Sequence, residues 1–352
     1  MLFRTLRILA CLFIAALTLE LCARVEDTVT QGAPLLGAYH QNILYDKPGA
    51  DFRGIPGARY LKWHLNSLGY RGPEPQQGAI RIACVGASET FGLYEKEGGE
   101  WPRQMERLLN EGGGPRRYTV INTAYPGANL RTHLHQGPAM IAAAKPDIVV
   151  LYTSVSAYVH PDFYGVLKAG TVPEREIRMV TKAKELFRRV TPPALSGRMR
   201  AWDTQRSLRG REDEIVDRIP PQNVALFSAD LEKLLDFYAS HKLQVVIVTH
   251  AHRFGKEVTP EERPILVAWR QAYPTMREDG FLDMEAQLNE RLRQAAAARG
   301  LVVADAARTI PPGPRYFADY VHLTDDGALE LANVTAAAVT RQAEAKPKTD
   351  GN

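Results

Sequence analysis

Apolar residues fall along this chain in two alternating textures. Short unbroken runs at 79–85, 119–122, 146–152, 244–249 and 301–304 read as buried strands, because a strand covered on both faces carries no polar alternation. Between and after them, apolar residues recur at helical spacing. The spacing predicts helices over 100–109 (Trp101, Met105, Leu108 and Leu109 on one side), about 130–144, 229–241 (Leu231, Leu234, Leu235, Tyr238), 284–299 and 325–342. Gly112-Gly-Gly-Pro115 and Gly300 terminate two of these. Five buried strands alternating with helices predict one α/β domain, a three-layer sandwich around a five-stranded parallel sheet.

The N-terminus has a different pattern. Arg4 and Arg7 precede an apolar run from Ile8 to Leu19, and polarity returns at Glu20, Arg24, Glu26 and Asp27. A basic segment followed by an apolar one predicts export. Cleavage after Ala23 would place Leu21 where a small residue is required. The same leucine precedes Cys22 and excludes a lipoprotein site. Residues 1–27 are therefore expected to be a retained signal anchor, a transmembrane helix that leaves the body on the extracytoplasmic, periplasmic side. Residues 28–78 form a Gly- and Pro-rich, irregular lead-in, and 79–342 the domain. The tail at 343–352 is expected to be disordered.

The chain has 352 residues, 45% hydrophobic and 24% charged, enough for one large core. A net charge of +4 with no recognition motif excludes nucleic acid as a partner. The cysteines, Cys11, Cys22 and Cys84, build neither a disulfide framework nor a metal-binding spacing and read as inert buried thiols; neither metal nor cofactor is expected. The connection at 160–228 is long and basic, with Arg175, Arg178, Lys182 and Arg188 among its cations. It reads as a solvated helical insertion, or as a surface for anionic headgroups or an acidic glycan.

Open α/β sheets place their chemistry at the C-terminal ends of strands. The first strand ends in Gly86-Ala-Ser-Glu-Thr-Phe-Gly92, where a serine between strand and helix exposes its hydroxyl. The second ends in Tyr125-Pro-Gly-Ala-Asn129, and Gly127 permits close backbone approach. Past the fifth comes Asp319-Tyr-Val-His322, just before a helix with Thr324 as its N-cap. A serine hydroxyl becomes a nucleophile when a neutral imidazole takes its proton, and a carboxylate fixes that imidazole's tautomer.

In that order these blocks resemble the SGNH/GDSL hydrolase superfamily over roughly residues 79–342. Gly86-Ala-Ser88 matches the nucleophile block, Gly127 the second-block glycine and Asp319-Tyr-Val-His322 the closing block. Asn66-Ser-Leu-Gly-Tyr-Arg-Gly72 is similar to a segment that precedes the domain in membrane-anchored members. The resemblance implies a flavodoxin-like sheet, Ser88 as nucleophile, His322 as base and Asp319 as its orienting partner. It also implies an oxyanion hole from the backbone N–H groups of Ser88 and Gly127. Two positions depart from the pattern. Ala87 replaces the acidic residue of Gly-Asp-Ser. Ser156 stands where the third-block Asn belongs, so the Ser156 hydroxyl or Asn129 would have to supply that donor.

The expected function is a serine-dependent esterase that removes a small acyl group, such as acetyl, from an envelope or exopolysaccharide carbohydrate through an acyl-Ser88 intermediate. The alternatives are an O-acyltransferase using the same triad and a degenerate member that binds glycan or protein. Expected partners are an acylated carbohydrate or other small ester, the membrane through the N-terminal helix, and envelope polysaccharide machinery. Tyr152, Tyr158 and His160 are expected to line the substrate pocket, and Asn66 and Arg71 to cover the site. His250-Ala-His252 reads as an exposed loop pair without a nearby acidic partner, and His133 and His135 as surface or rim residues.

Overall fold

The computed structural model describes residues 2–31, 33–36, 41–46, 53–111, 113, 116–155, 158, 177–190, 202, 206, 215–273 and 275–344. Two small antiparallel ribbons come first: β1 (Tyr45–Asp46) with β2 (Arg53–Gly54), and β3 (Arg59–Tyr60) with β4 (Trp63–His64). The sheet follows as β5 (Ile80–Gly86), β6 (Tyr118–Asn122), β7 (Ile148–Tyr152), β8 (Gln244–Val248) and β9 (Val302–Ala304). All four pairings are parallel and the strand order is β6-β5-β7-β8-β9. Chain direction across the sheet therefore reverses at β5, the position at which such sheets open a crevice beyond their C-terminal ends.

Strand side chains divide cleanly between two cores. Ala83, Val85, Val149, Leu151, Val245 and Ile247 face one layer, and Ile82, Cys84, Ile148, Val150, Val246 and Val248 face the other. This period of two, with both faces covered, is why the strands read as unbroken apolar runs. Helices Leu130–Ala144, Pro221–Ser240 and Glu278–Arg299 cover the first face, and Trp101–Glu111 and Asp325–Glu344 the second. The helix expected at 229–241 starts eight residues earlier because Pro221 opens it, and proline at the first helical position loses no hydrogen bond. Helix Arg263–Ala272, which the spacing did not predict, packs Trp269 between Phe281 and Tyr320 with both rings nearly parallel to it.

The N-terminal helix runs from Leu2 to Gln31 and is long and apolar enough to cross a membrane. Its large apolar side chains, from Phe3 to Val29, face outward, as do Cys11 and Cys22; only Cys84 is buried. A shorter helix from the basic insertion, Arg178–Val190, docks on its last turns. Glu20 accepts hydrogen bonds from the backbone N–H groups of Arg178 (3.0 Å) and Met179 (2.8 Å). Arg178 pairs with Asp27, and Lys182 with Glu26 at 2.6 Å and Asp27 at 3.0 Å. These two cations thus meet carboxylates of the chain itself. The last helix runs to Glu344, two residues into the tail expected from 343; residues 345–352, most of the remaining insertion, His160 and the expected oxyanion residue Ser156 lie outside the described residues.

The lead-in is more ordered than its composition suggests. Asn66 Oδ1 accepts from the N–H groups of Leu68 (3.0 Å) and Tyr70 (3.1 Å), closing a tight turn, and Arg71 pairs antiparallel with Asn122 at the edge of the sheet.

Candidate active site

β5 ends in Gly86, and the chain turns at once into the short helix Ser88–Phe91. Glycine is required at 86: a Cβ there would sit 2.1 Å from Thr90 Oγ1 and 2.5 Å from the carbonyl oxygen of Tyr152. The neighbouring turn at the end of β6 closes through Ala128 N–H to Tyr125 O (3.0 Å). Gly127 occupies its positive-φ position (+82°). Tyr125 N–H donates to Gly86 O at 3.3 Å, which ties the turn to the Ser88 segment.

The closing block, Asp319 to His322, arrives from a loop held by its own backbone. Ala318 N–H donates to His322 O (2.8 Å), Thr324 N–H to Tyr316 O (3.0 Å) and Arg253 N–H to Tyr320 O (3.0 Å). Thr324 Oγ1 accepts from Gly327 N–H at 3.2 Å, capping the last helix as its position in the sequence predicts.

These elements bring Ser88, His322 and Asp319 together. Ser88 Oγ lies 2.9 Å from His322 Nε2, and His322 Nδ1 lies 2.7 Å from Asp319 Oδ2. Asp319 Oδ1 accepts from the N–H groups of Val321 (3.0 Å) and His322 (2.9 Å), so the whole carboxylate is fixed. Burial disfavours the charged form of His322, but the hydrogen bond and charge of Asp319, with the charges of Glu89 and Glu95, outweigh it and raise the ring above its ordinary value. Burial likewise opposes ionisation of Asp319, yet its bonds to His322 and Val321 bring it below the usual carboxylate range. Such a set can move a proton from the hydroxyl to the ring and hold the resulting imidazolium.

Several further groups are brought to the site only by the fold. Glu89 is buried, and its Oε2 lies 3.0 Å from Ser88 Oγ. Its Oε1 lies 3.1 Å from Nε2 of His250, whose Nδ1 lies 2.9 Å from Glu285 Oε2. The Tyr94 ring sits 5.3 Å from that of His322. Glu95 is buried, and its carboxyl is pushed up to about 7 by that burial. Arg71 lies beneath the site, donating to the carbonyls of Phe91 and Gly92 (2.7 Å) and pairing with Glu100 at 3.0 Å.

Other expected positions need correcting. His250 is fully buried between two carboxylates, not an exposed loop residue, because folding supplies partners 161 and 35 positions away. His133 is buried, and only His135 of that pair is exposed. Tyr152 does not line a substrate pocket: it is 1% exposed, stacked 5.3 Å from His250, and its hydroxyl accepts from Ala251 N–H at 3.2 Å. Tyr158 packs edge-on against Phe227 at 4.9 Å and faces Asp230. Asn129 Oδ1 caps helix Leu130–Ala144, accepting from Arg131 (3.0 Å) and Thr132 (3.1 Å), so its side chain is anchored at that helix start. Arg71 and Asn66 support the turn after Ser88 and their own loop and do not cover the site. A cavity of about 730 Å³ lies toward Val85, Tyr125, His133 and Tyr238, and none of Ser88, His322 or Asp319 lines it.

The sequence model of the GDSL-like lipase/acylhydrolase family matches residues 84–329. An acetylxylan esterase of Xylanibacter ruminicola is 30% identical over 149 residues, which cover 36% of this chain and 29% of that protein. The chain therefore matches under a third of that relative's length. Among solved structures, the lipase/acylhydrolase of Enterococcus faecalis aligns with a TM-score of 0.43 at 18% identity, covering 76% of this chain and 98% of that one. A lipolytic G-D-S-L protein of Veillonella parvula aligns at 0.43 and 15%, covering 75% and 100%.

Proposed function

The chain belongs to the GDSL-like lipase/acylhydrolase family, and on that premise we propose that it is a serine esterase removing a small acyl group from a carbohydrate, anchored in a membrane by its N-terminal helix. The observation that carries the reading is the unbroken line Ser88 Oγ, His322 Nε2, His322 Nδ1, Asp319 Oδ2, with spacings of 2.9 and 2.7 Å. In this reading neutral His322 takes the Ser88 proton as Oγ attacks the ester carbonyl. Asp319 stabilises the imidazolium, and the N–H groups of Ser88 and Gly127 receive the developing oxyanion. The imidazolium then protonates the departing alkoxide, leaving an acyl-Ser88 ester. Water, deprotonated by His322, hydrolyses that ester and restores the serine.

The likeness to an acetylxylan esterase supports a carbohydrate acetyl ester as substrate. The outward-facing apolar helix supports membrane attachment, with the body on the extracytoplasmic side that Arg4 and Arg7 favour. The test is release of acetate from acetylated xylan and from a small acetyl ester by the full-length chain in detergent. Turnover that vanishes in Ser88→Ala and in His322→Ala is expected; equal release by both variants would overturn the reading.

A further inference from the structure

Among the described residues, the Ser88 hydroxyl has one proton and two acceptors within reach. His322 Nε2 lies 2.9 Å from Ser88 Oγ and Glu89 Oε2 lies 3.0 Å from it. A hydroxyl donates once, so both cannot be served together. When the proton points to His322, Nε2 is an acceptor and the imidazole is neutral. When it points to Glu89, Nε2 fills its own hydrogen bond only by donating to Oγ. His322 is then an imidazolium, with its Nδ1–H on Asp319.

Glu89 is 3% exposed, and an isolated carboxyl in that position would bind a proton. Its Oε1 instead meets His250 Nε2 at 3.1 Å, and His250 Nδ1 meets Glu285 Oε2 at 2.9 Å. A histidine with a carboxylate oxygen at each nitrogen donates from both only as an imidazolium. Tyr152 stacks on the ring at 5.3 Å, and Asn289 holds the backbone that carries it: Asn289 Oδ1 accepts from the His250 backbone N–H at 2.6 Å, and Asn289 Nδ2 donates to the His250 carbonyl at 2.8 Å. Burial opposes both charges. The partners prevail, holding His250 well above the ordinary histidine range and Glu89 below the ordinary carboxylate range.

We propose that Glu89, kept ionised by the His250–Glu285 pair, is a positioning residue that holds the Ser88 hydroxyl while His322 is protonated and releases it to His322 when the ring is neutral. This rests on the reading of Ser88 as the nucleophile. No covalent bond changes except that His322 Nε2 loses its proton to solvent as the hydroxyl turns from Oε2 to Nε2. The Glu89 charge also favours the imidazolium, so it raises the pH at which Ser88 becomes competent. The other titratable groups facing His322 are Asp319, Glu95, Tyr94 and Tyr320. Glu95 contributes negative charge once ionised, above about pH 7. Glu89 itself faces His250, His322, Tyr152 and Tyr320, and His250 also faces Glu285 and His252.

The test is a ring titration by NMR of the full-length chain labelled at histidine nitrogen, with the His322 signal assigned by its loss in His322→Asn. Glu89→Gln keeps the shape and removes the charge. Its His322 midpoint should fall by about one pH unit, tenfold in proton affinity, and the acid limb of kcat/KM for an acetyl ester should fall with it. An unmoved or raised midpoint overturns the proposal. Wild type alone gives a second reading should the variant not fold. The His250 ring should keep both protons at pH values where exposed histidines have lost one, and a His250 ring neutral there also overturns it. If wild type cleaves no ester, the proposed function fails, while the two titrations still decide the role of Glu89.

Discussion

Asp319 holds His322 at two points: Oδ2 lies 2.7 Å from the ring Nδ1, and Oδ1 accepts the backbone N–H of the same residue at 2.9 Å. The second bond fixes the carboxylate to the chain segment that carries the ring, so the tautomer and the ring's direction are set together. Asp319→Asn keeps the shape but offers an amide where the carboxylate stood. It should lower kcat for ester hydrolysis by about 10⁴, as the equivalent change does in serine proteases. Steady-state rates, with circular dichroism to verify folding, check this.

Activity should also have a defined acid limb. Burial lowers the affinity of His322 for a proton, while Asp319, Glu89 and Glu95 raise it by more, leaving the ring above the ordinary histidine value. The base form is the working form, so kcat/KM should rise with pH through a midpoint above about 6.5. A midpoint below that value would contradict the assigned surroundings of the ring.

A different histidine should govern acid stability. Burial pushes His133 down to about 3, and the protein offers its Nε2 no hydrogen-bond partner among the described residues. The unfolded chain therefore binds a proton at His133 that the folded one does not, between about pH 6.5 and pH 3. The stability tied to this group is fully present above pH 6.5 and is lost as pH falls toward 3. Unfolding free energy should drop by about 1.4 kcal/mol per pH unit from this group, and His133→Leu should remove that part of the slope. Urea denaturation at several pH values measures it.

The turn after Ser88 should be sensitive to its buried ion pair. Arg71 and Glu100 have side chains 3% and 4% exposed, and Arg71 also satisfies the Gly92 carbonyl. Removing the guanidinium leaves a buried carboxylate unpaired, so Arg71→Ala should cost about 3–5 kcal/mol. Gly92 has φ +85°, and a Cβ there would lie 2.5 Å from Arg71 Nη1. Gly92→Ala should therefore cost at least about 1–2 kcal/mol from the backbone alone. Denaturant midpoints separate the two.

The sheet and the three positions that meet beyond it, Ser88, Asp319 and His322, are legible because each rests on a local pattern. Apolar runs mark the strands, Gly-x-Ser follows the first, and Asp-x-x-His precedes the last helix cap. What escaped depends on partners far apart in the chain. His250 reads as a loop residue, and nothing local marks Glu89 or Glu285 as its partners; the packing of β5, β8 and helix Glu278–Arg299 joins them. Tyr152 departs from its expected place for a related reason. Its position at the end of β7 points to the crevice, but as the last residue of the strand it alternates inward with Val150 and Ile148. Helix Arg263–Ala272 carries Pro264 in its first turn, where proline costs no hydrogen bond.

The most direct test of the central claim is acetate release from a small acetyl ester by the full-length chain beside Ser88→Ala. Turnover by wild type at least about a thousandfold above the variant is expected, since loss of the nucleophile removes most of a triad's contribution. Indistinguishable rates, with both proteins folded, would contradict Ser88 as the nucleophile and the esterase reading with it.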